Sequence, residues 1–446
     1  MIETSTTEAT MEPTLPSSKP PFIRRVQIRG YKSIAFCDVT LEPLTFLVGR
    51  NGSGKSNFLD ALGFLKDVVS TRLSEAVHSR NGWNSISCKS TAKPTIGINI
   101  ESEFQSNGAT WNATYAIEIR QQEDKKIQLV HEQLELVENT RQIHIGFKCT
   151  GDAIIWVGSP FFENDDDWIT SGEELASNPN SKIEDPRNYR RPFPDCSVLV
   201  MCYTRPFVDF ADSLMSSAIY NFSPTEMREL QTISSATLLE RNGSNLAGMI
   251  RELARIAPDT ISRINRYLNA IVPDVIDCKA ETYGNYETVR FQTRQIVQKA
   301  GLLFDSFNMS DGTLRVLAAL VAASQFELSP ATGFIAIEEP ETSLHPAAMH
   351  ALVDALDEAT LHTQILLTTH SAEMLDNPTI KPANVRVVQM IDGQTVIAPV
   401  DEASVEIVKK NLNTLGGLER ENQLEPDYDD LERQRKLSLN GRSTTE

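Results

Sequence analysis

From Phe22 the hydrophobic and polar positions fall into short β-type runs, "FIRRVQIRGY", "SIAFCDVTL" and "LTFLVG". The last run breaks into a glycine-rich stretch and then "KSNFLDALGFLKDVV", where Phe58, Leu59, Leu62, Leu65 and Val68 fall at helical spacing. The order is therefore strand, loop, helix. Three further alternating stretches, "TIGINIESEF", "ATYAIEIR" and "KIQLVHEQLELV", predict antiparallel strands. Between 150 and 300 the pattern weakens. "FFENDDDW" and "ASNPNSKIEDPRNYRRPFPD" read as loop, and "NLAGMIRELARI" and "TISRINRYLNAIV" as two amphipathic helices.

Regular α/β signals return at Leu302. "SDGTLRVLAALVAASQF" predicts a helix, "GFIAI" a buried strand, and "HPAAMHALVDALDEAT" a helix with Pro346 in its first turn. "QILLTTHS" reads as a second buried strand, and "VRVVQMIDGQTVIAPV" as a hairpin turning at Asp392 and Gly393. The segment from about 415, with "LEPDYDDLERQRK", is charged, lacks a sustained apolar face and is expected to be mobile. The chain thus divides into a leader (1–21), a first lobe (22–150), an insertion of loops and helices (151–300), a second lobe (301–400) and a charged tail (401–446). There is no internal repeat.

Composition narrows the class. With 40% hydrophobic and 23% charged residues the chain suits a folded protein. Its net charge of -18 repels nucleic acid on average, so DNA contact would need local basic patches. Arg24, Arg25, Arg29 and Lys32 form one candidate, and Arg187, Arg190 and Arg191 another; both read first as solvated faces. The six cysteines contain no C-x-x-C pair, which indicates neither zinc nor a disulfide framework and points to a reducing, cytoplasmic setting. "MIETSTTEATMEPTLPSSKPP" lacks the basic start and apolar core of a secretory signal and reads as a disordered leader. The longest apolar run, "VLAALVAA", is too short to cross a bilayer, so no membrane role is expected.

The chemistry begins with "GRNGSGKS", residues 49 to 56, which matches G-x-x-x-x-G-K-[ST] between a strand and a helix. Gly49, Gly52 and Gly54 let the backbone wrap around phosphates, with the amides of Arg50, Asn51, Ser53 and their neighbours, through Asn57, facing the negative charge. Lys55 would reach the β- and γ-phosphates, and the Ser56 hydroxyl would hold Mg²⁺. An incidental glycine-rich turn is the alternative, and the flanking strand and helix disfavour it.

A phosphate loop alone does not separate a kinase from a GTPase or a motor. In "GFIAIEEPETSLHP" an apolar strand ends in two acids: Glu338 is the candidate metal ligand, and Glu339 the group that orients the attacking water. His370 follows the apolar run "ILLTT", at a strand end from which it could hydrogen-bond a γ-phosphate. "NMSDGT" opens a helix with Ser310 and Gly312, a hydroxyl and bare backbone amides offered to an anion.

Taken in this order, "GRNGSGKS", "SDGT", "AIEEPETSLHP" and "LLTTHS" resemble the ABC-type ATPase heads, within them the group of RecF, SMC proteins and OLD-like bacterial defence ATPases. "VQIRGYKSIAFCDVTLEPLTFLVGRNGSGKSNFLDAL" resembles their first lobe, and "LLERNGSNLAGMIREL" the helical segment of the small members without a coiled coil. The resemblance covers about 22 to 400. It implies an α/β P-loop NTPase fold with a mixed central sheet, an antiparallel β subdomain and a helical insertion. It also implies ATP and Mg²⁺ as cofactors, bound between protomers of a homodimer or higher oligomer. Asp311 replaces the first glycine of the usual S-G-G, and is expected to turn back and cap its own helix, leaving Ser310 and Gly312 to the nucleotide. Glu338 stands where many relatives carry aspartate. The residue that stacks on adenine is unassigned, with the region around Tyr31 and Lys32 the place to look for it, and Glu341 falls in a turn expected to face the partner protomer.

These readings favour an ATPase whose nucleotide-driven dimer closure controls a DNA-directed or antiphage-defence effector. Only 76 residues follow His370, so a nuclease is expected on a separate chain, with "NLNTLGGLEREN" as its docking segment and "DYDD" as solvated charge. A transporter ATPase subunit is the alternative, disfavoured by "TSLHP" in place of the Ser-Ala-Leu-Asp type of segment. A module that binds ATP without turnover is the third.

Overall fold

The runs "LTFLV", "FIAIE" and "QILLTT" carry apolar side chains at successive positions, which only a strand covered on both faces can bury. The computed structural model describes residues 22–89, 94–157, 189–191, 193, 195–233, 235, 238–294, 301–329 and 333–440. In it these runs are strands Leu44–Val48, Phe334–Glu338 and Gln364–Thr369, the centre of a six-stranded sheet. Across the sheet the order is Ala218–Tyr220, Phe334–Glu338, Gln364–Thr369, Leu44–Val48, Val385–Ile391 and Gln394–Pro399. The first five run parallel and the last two form an antiparallel hairpin. It turns at Asp392 and Gly393, both with positive φ (49° and 75°), the backbone that a two-residue turn between twisted strands demands.

Side chains alternate across this sheet and so feed two separate cores. Leu47, Phe334, Ala336 and Leu366 join the first, with helix Lys55–Ser70 and an antiparallel sheet. Phe46, Val48, Ile335, Ile337 and Leu367 join the second, with helices Leu246–Ile256, Pro258–Ile271, Asp311–Ala323 and Pro346–Ala359. The antiparallel sheet has eight strands, running from Ile34–Thr40 through Phe22–Tyr31, Thr95–Ser106, Ala109–Gln121 and Ile127–Glu138 to Tyr189–Arg190. Along Thr95–Ser106 every second residue is buried, the burial of a sheet with one solvated face.

Both helices expected between 150 and 300 are present. That span also holds structure its weak periodicity did not reveal: helix Phe207–Met215, the central-sheet edge strand Ala218–Tyr220, and a small antiparallel sheet built on Val275–Tyr283 and Tyr286–Thr293. The leader, "FFENDDDW" and most of "ASNPNSKIEDPRNYRRPFPD" lie outside the described residues.

The charged tail needs correction, because through residue 440 it is ordered onto the head. It forms helices Glu402–Lys409, Leu415–Arg420 and Tyr428–Asn440, with Leu415, Leu418 and Leu424 in the second core. The last helix docks through a polar side chain. Gln434 is buried, donates to the Ile397 carbonyl (2.9 Å) and accepts from the Asp38 amide (3.1 Å). Arg433 adds an ion pair to Asp38 at 3.2 Å. Glutamine and arginine carry no hydrophobic periodicity, so the docking face was invisible to a pattern of apolar residues. Gln434→Ala strips the partner from two buried backbone groups and should lower the unfolding free energy by about 1–3 kcal/mol, read as a shift in urea midpoint at unchanged slope.

Candidate nucleotide site

Residues 49–54 arch between strand Leu44–Val48 and helix Lys55–Ser70. Gly52 and Gly54 take φ of 80° and 103°, a region L side chains rarely adopt. Close approach constrains the loop too: a Cβ on Gly49 would stand 2.1 Å from the Val388 carbonyl oxygen, and one on Gly54 1.9 Å from Thr395 Oγ1. The hairpin Val385–Pro399 therefore presses directly on the loop. A chain of hydrogen bonds fixes it there. Asn57 Nδ2 donates to Ser33 Oγ (2.6 Å), Ser33 and Thr395 share a bond (2.7 Å), and Thr395 Oγ1 donates to the Ser53 carbonyl (2.9 Å). Asn57, expected at the ligand, thus has its side chain turned to Ser33 as a buttress.

Lys55 is buried, and its ammonium donates to the Gly49 (2.5 Å) and Arg50 (3.1 Å) carbonyls of its own loop. Burial pushes it below the ordinary lysine range, against the opposing pull of Glu339, Glu341, Glu419 and Glu338. Ser53 Oγ is buried in the same loop with no hydrogen-bond partner. Arg50 and Asn51 are exposed, and Arg50 donates to Asn422 Oδ1 (2.7 Å).

The second lobe meets this loop at strand ends. Ser56 Oγ donates to Glu338 Oε2 (2.5 Å), and Arg241 stands 3.6 Å from the other Glu338 oxygen. Glu339 follows with φ 44°, a left-handed backbone that costs a non-glycine residue roughly 1–2 kcal/mol. Its amide donates to the Thr368 carbonyl (3.1 Å) and hydroxyl (3.2 Å), which hold the turn in place. The Glu339 carboxylate lies 3.7 Å from His370 Nδ1, both side chains half-exposed.

This donor set fits a magnesium nucleotide. Ser56 and Glu338 supply a hydroxyl and a carboxylate in contact, oxygen ligands few enough to leave Mg²⁺ its waters. Among the described residues no group of three or more His, Cys, Asp or Glu could hold a metal, so a dedicated protein cage is absent from them. The orphaned Ser53 hydroxyl and the glycine backbone supply polar groups for phosphate oxygens.

Four expectations change. Glu341 does not sit on an outward turn. The chain folds back, Leu344 N to Glu341 O at 2.9 Å, and carries the carboxylate inside, where it accepts from Thr369 Oγ1 (2.5 Å) while its other oxygen has no partner. Asp311 does not cap its helix. Ser310 does, accepting from the Thr313 amide (3.2 Å), while Asp311 pairs with Arg228 (2.5 Å), which also donates to the Met309 carbonyl. Ser310 remains exposed, but Gly312 is buried against its own chain: a Cβ there would lie 2.4 Å from the Ser343 carbonyl oxygen. Tyr31 cannot stack on adenine, because it is buried with its hydroxyl on Asp60 (2.6 Å), to which Lys32 also pairs.

The basic candidates are largely neutralised. Arg24 pairs with Glu103, Arg25 grips Asp38 with two bonds of 2.6 Å, and Arg191 is buried on Glu132 at 2.9 Å. Arg187 and the Arg190 side chain lie outside the described residues. Among those residues, no helix is long and apolar enough to cross a membrane.

Strand order, phosphate loop and paired carboxylates define a P-loop ATPase head of the ABC type. Residues 44–195 and 205–376 match the family described as "AAA domain, putative AbiEii toxin, Type IV TA system", and the chain belongs to that family. It is similar to the DNA replication and repair protein RecF of Arthrobacter sp. (strain FB24), 41% identical over 54 residues, 12% of this chain and 14% of that protein. The chain therefore spans only a small part of that relative's length. Among solved structures it resembles an SMC head bound to the C-terminal winged-helix domain of ScpA (TM-score 0.48, 12% identity, 86% of this chain and 99% of that one). A second is the Pyrococcus furiosus SMC head with an extended coiled coil, bound to the C-terminal domain of ScpA (TM-score 0.46, 13% identity, 88% and 100%).

Burial holds the Glu341 carboxyl above the ordinary range, the Thr369 hydrogen bond only partly opposing it. The folded state thus keeps this proton to higher pH than the unfolded chain does. Its contribution to stability is full below the unfolded value of 4.5 and is lost as pH rises toward the raised folded value. Glu341→Gln cannot lose a proton, so its stability relative to wild type should grow as pH rises from 4.5 and then level off. Denaturant titrations across that range test this; a difference independent of pH would reject the buried carboxylate.

Proposed function

We propose that this chain binds ATP with Mg²⁺ and hydrolyses it, and that nucleotide-dependent dimer closure passes the state of the site to an effector. The observation that carries the reading is the contact between Ser56 and Glu338, which joins the phosphate-loop helix to the acid-ended strand beside Lys55. Bound Mg²⁺ would supply charge neutralisation of the β- and γ-phosphates. Lys55 exchanges its loop carbonyls for phosphate oxygens, and the loop amides hold the rest of the chain of phosphates. Ser56 and Glu338 would hold the metal. Glu339, on its constrained turn, orients a water and takes its proton, and His370 donates to the γ-phosphate end from the neighbouring strand.

Ser310 is exposed at the start of its helix, and this supports a role in closing on the phosphates of a second protomer. The family description, with its words "putative AbiEii toxin, Type IV TA system", supports a defence or toxin–antitoxin setting; we place it in the cytoplasm, with the effector, a nuclease for example, as a separate chain. The ion-paired arginines favour that arrangement over direct DNA binding by this chain. Lys55→Ala should lose nucleotide binding. Glu339→Gln should bind ATP normally, turn over at least about a hundredfold slower, and accumulate as a dimer in light scattering; wild-type turnover would remove Glu339 from the chemistry.

A further inference from the structure

The "NLNTLGGLEREN" segment, expected to receive another chain, is occupied by its own head. Leu415 and Leu418 are buried, and Gly416 approaches so closely that a Cβ would stand 2.1 Å from the Ala372 carbonyl oxygen. Thr414 Oγ1 donates to Asp376 Oδ1 (2.6 Å), while Arg420 pairs with Asp376 and, at 3.6 Å, with Glu373. The segment is therefore fastened to helix Ala372–Leu375, directly after His370. Its far end lies on the phosphate loop, where Asn422 accepts from Arg50. Between these anchors Glu419 is half-buried in the shared field of Lys55, Arg50 and His370, and burial holds its carboxyl above the ordinary range.

Glu338 already supplies the carboxylate that contacts Ser56, and Glu339 the one near His370. Glu419 adds a negative charge to a loop whose glycines, amides and lysine suit an anion. A side chain recruited to hold phosphates would offer a donor. Glu419 offers only an acceptor, and the buried leucines leave it little freedom to withdraw unless the segment moves.

We propose that residues 413–422 form an intramolecular latch in which Glu419 competes with the nucleotide phosphates for the positive field of the loop, so that nucleotide binding and latch release are coupled. This rests on the reading of the loop as a nucleotide triphosphate site. Because the latch is anchored beside His370, its release loosens the segment that follows that histidine.

The test uses the full chain, ATP with Mg²⁺ titrated by calorimetry, and hydrogen exchange of residues 413–422 with and without ATP. Glu419→Gln should bind on the order of tenfold tighter, the effect of one like charge worth a single pKa unit. Asn422→Ala should shift affinity in the same direction, and Asp124→Asn, in a turn of the eight-stranded sheet, should not. Exchange in 413–422 should quicken when ATP is added to wild type. Unchanged or weaker binding by Glu419→Gln, or exchange in 413–422 that is unchanged or slower with ATP, overturns the latch. Wild-type affinity in Lys55→Ala, or no binding by wild type, brings down the nucleotide reading and the latch with it. Loss of binding in Lys55→Ala beside an unaltered Glu419→Gln removes the latch alone.

Discussion

The hydrogen-bond chain from Asn57 through Ser33 and Thr395 to the Ser53 carbonyl is the constraint on which the rest of the site depends. A loop with three glycines is entropically costly to order, and its amides are useful only if they converge. The hairpin Val385–Pro399 removes that freedom by occupying the space any Cβ at Gly49 or Gly54 would need. Residues from three distant parts of the chain must therefore be in place before the phosphate loop has a shape. The last strand pair, which carries no chemistry, is as necessary to the site as Lys55.

Parallel register does the remaining alignment. Val48 pairs with Thr369 and Glu338 with Thr368, so the phosphate loop, the acid pair and His370 all leave the sheet at one edge. That edge is where ligands of open α/β sheets bind, at the carboxyl ends of the strands. The left-handed backbone at Glu339 then turns its carboxylate out of the strand direction, while Glu341 two residues on is drawn inward to Thr369. Neighbouring acids acquire different environments through the turn between them and not through their chemistry.

This explains what was legible in the sequence. The buried strands, the phosphate loop and the Glu338–Glu339 pair announce themselves because each is a local pattern: an apolar run, a glycine spacing, an acid at a strand end. The inward turn of Glu341, the pairing of Asp311 with Arg228 and the burial of Tyr31 each depend on a partner remote in sequence. Thr395, Ser33 and Arg241 had no signal at all, since a lone hydroxyl or arginine becomes part of a site only when the chain returns to it. The tail was misread for a related reason. Its docking uses Gln434, ion pairs and a few leucines, which leave no periodic stripe.

The electrostatics of the finished site follow from counting what surrounds Lys55. Four carboxylates, Glu338, Glu339, Glu341 and Glu419, bear on one buried ammonium whose hydrogen bonds are spent on its own loop. Burial raises the Glu341 carboxyl above its ordinary range, and Arg241 offsets part of Glu338. These carboxylates surround the positive loop in a protein already carrying a net charge of -18. An isolated phosphate chain entering the site would meet repulsion from those carboxylates as well as attraction from Lys55 and the loop amides. A divalent cation held on Ser56 and Glu338 would reduce that repulsion, because it would neutralise the carboxylate in contact with Ser56 and the phosphates together. The acidity of the site thus suits a metal-bound nucleotide better than a free one.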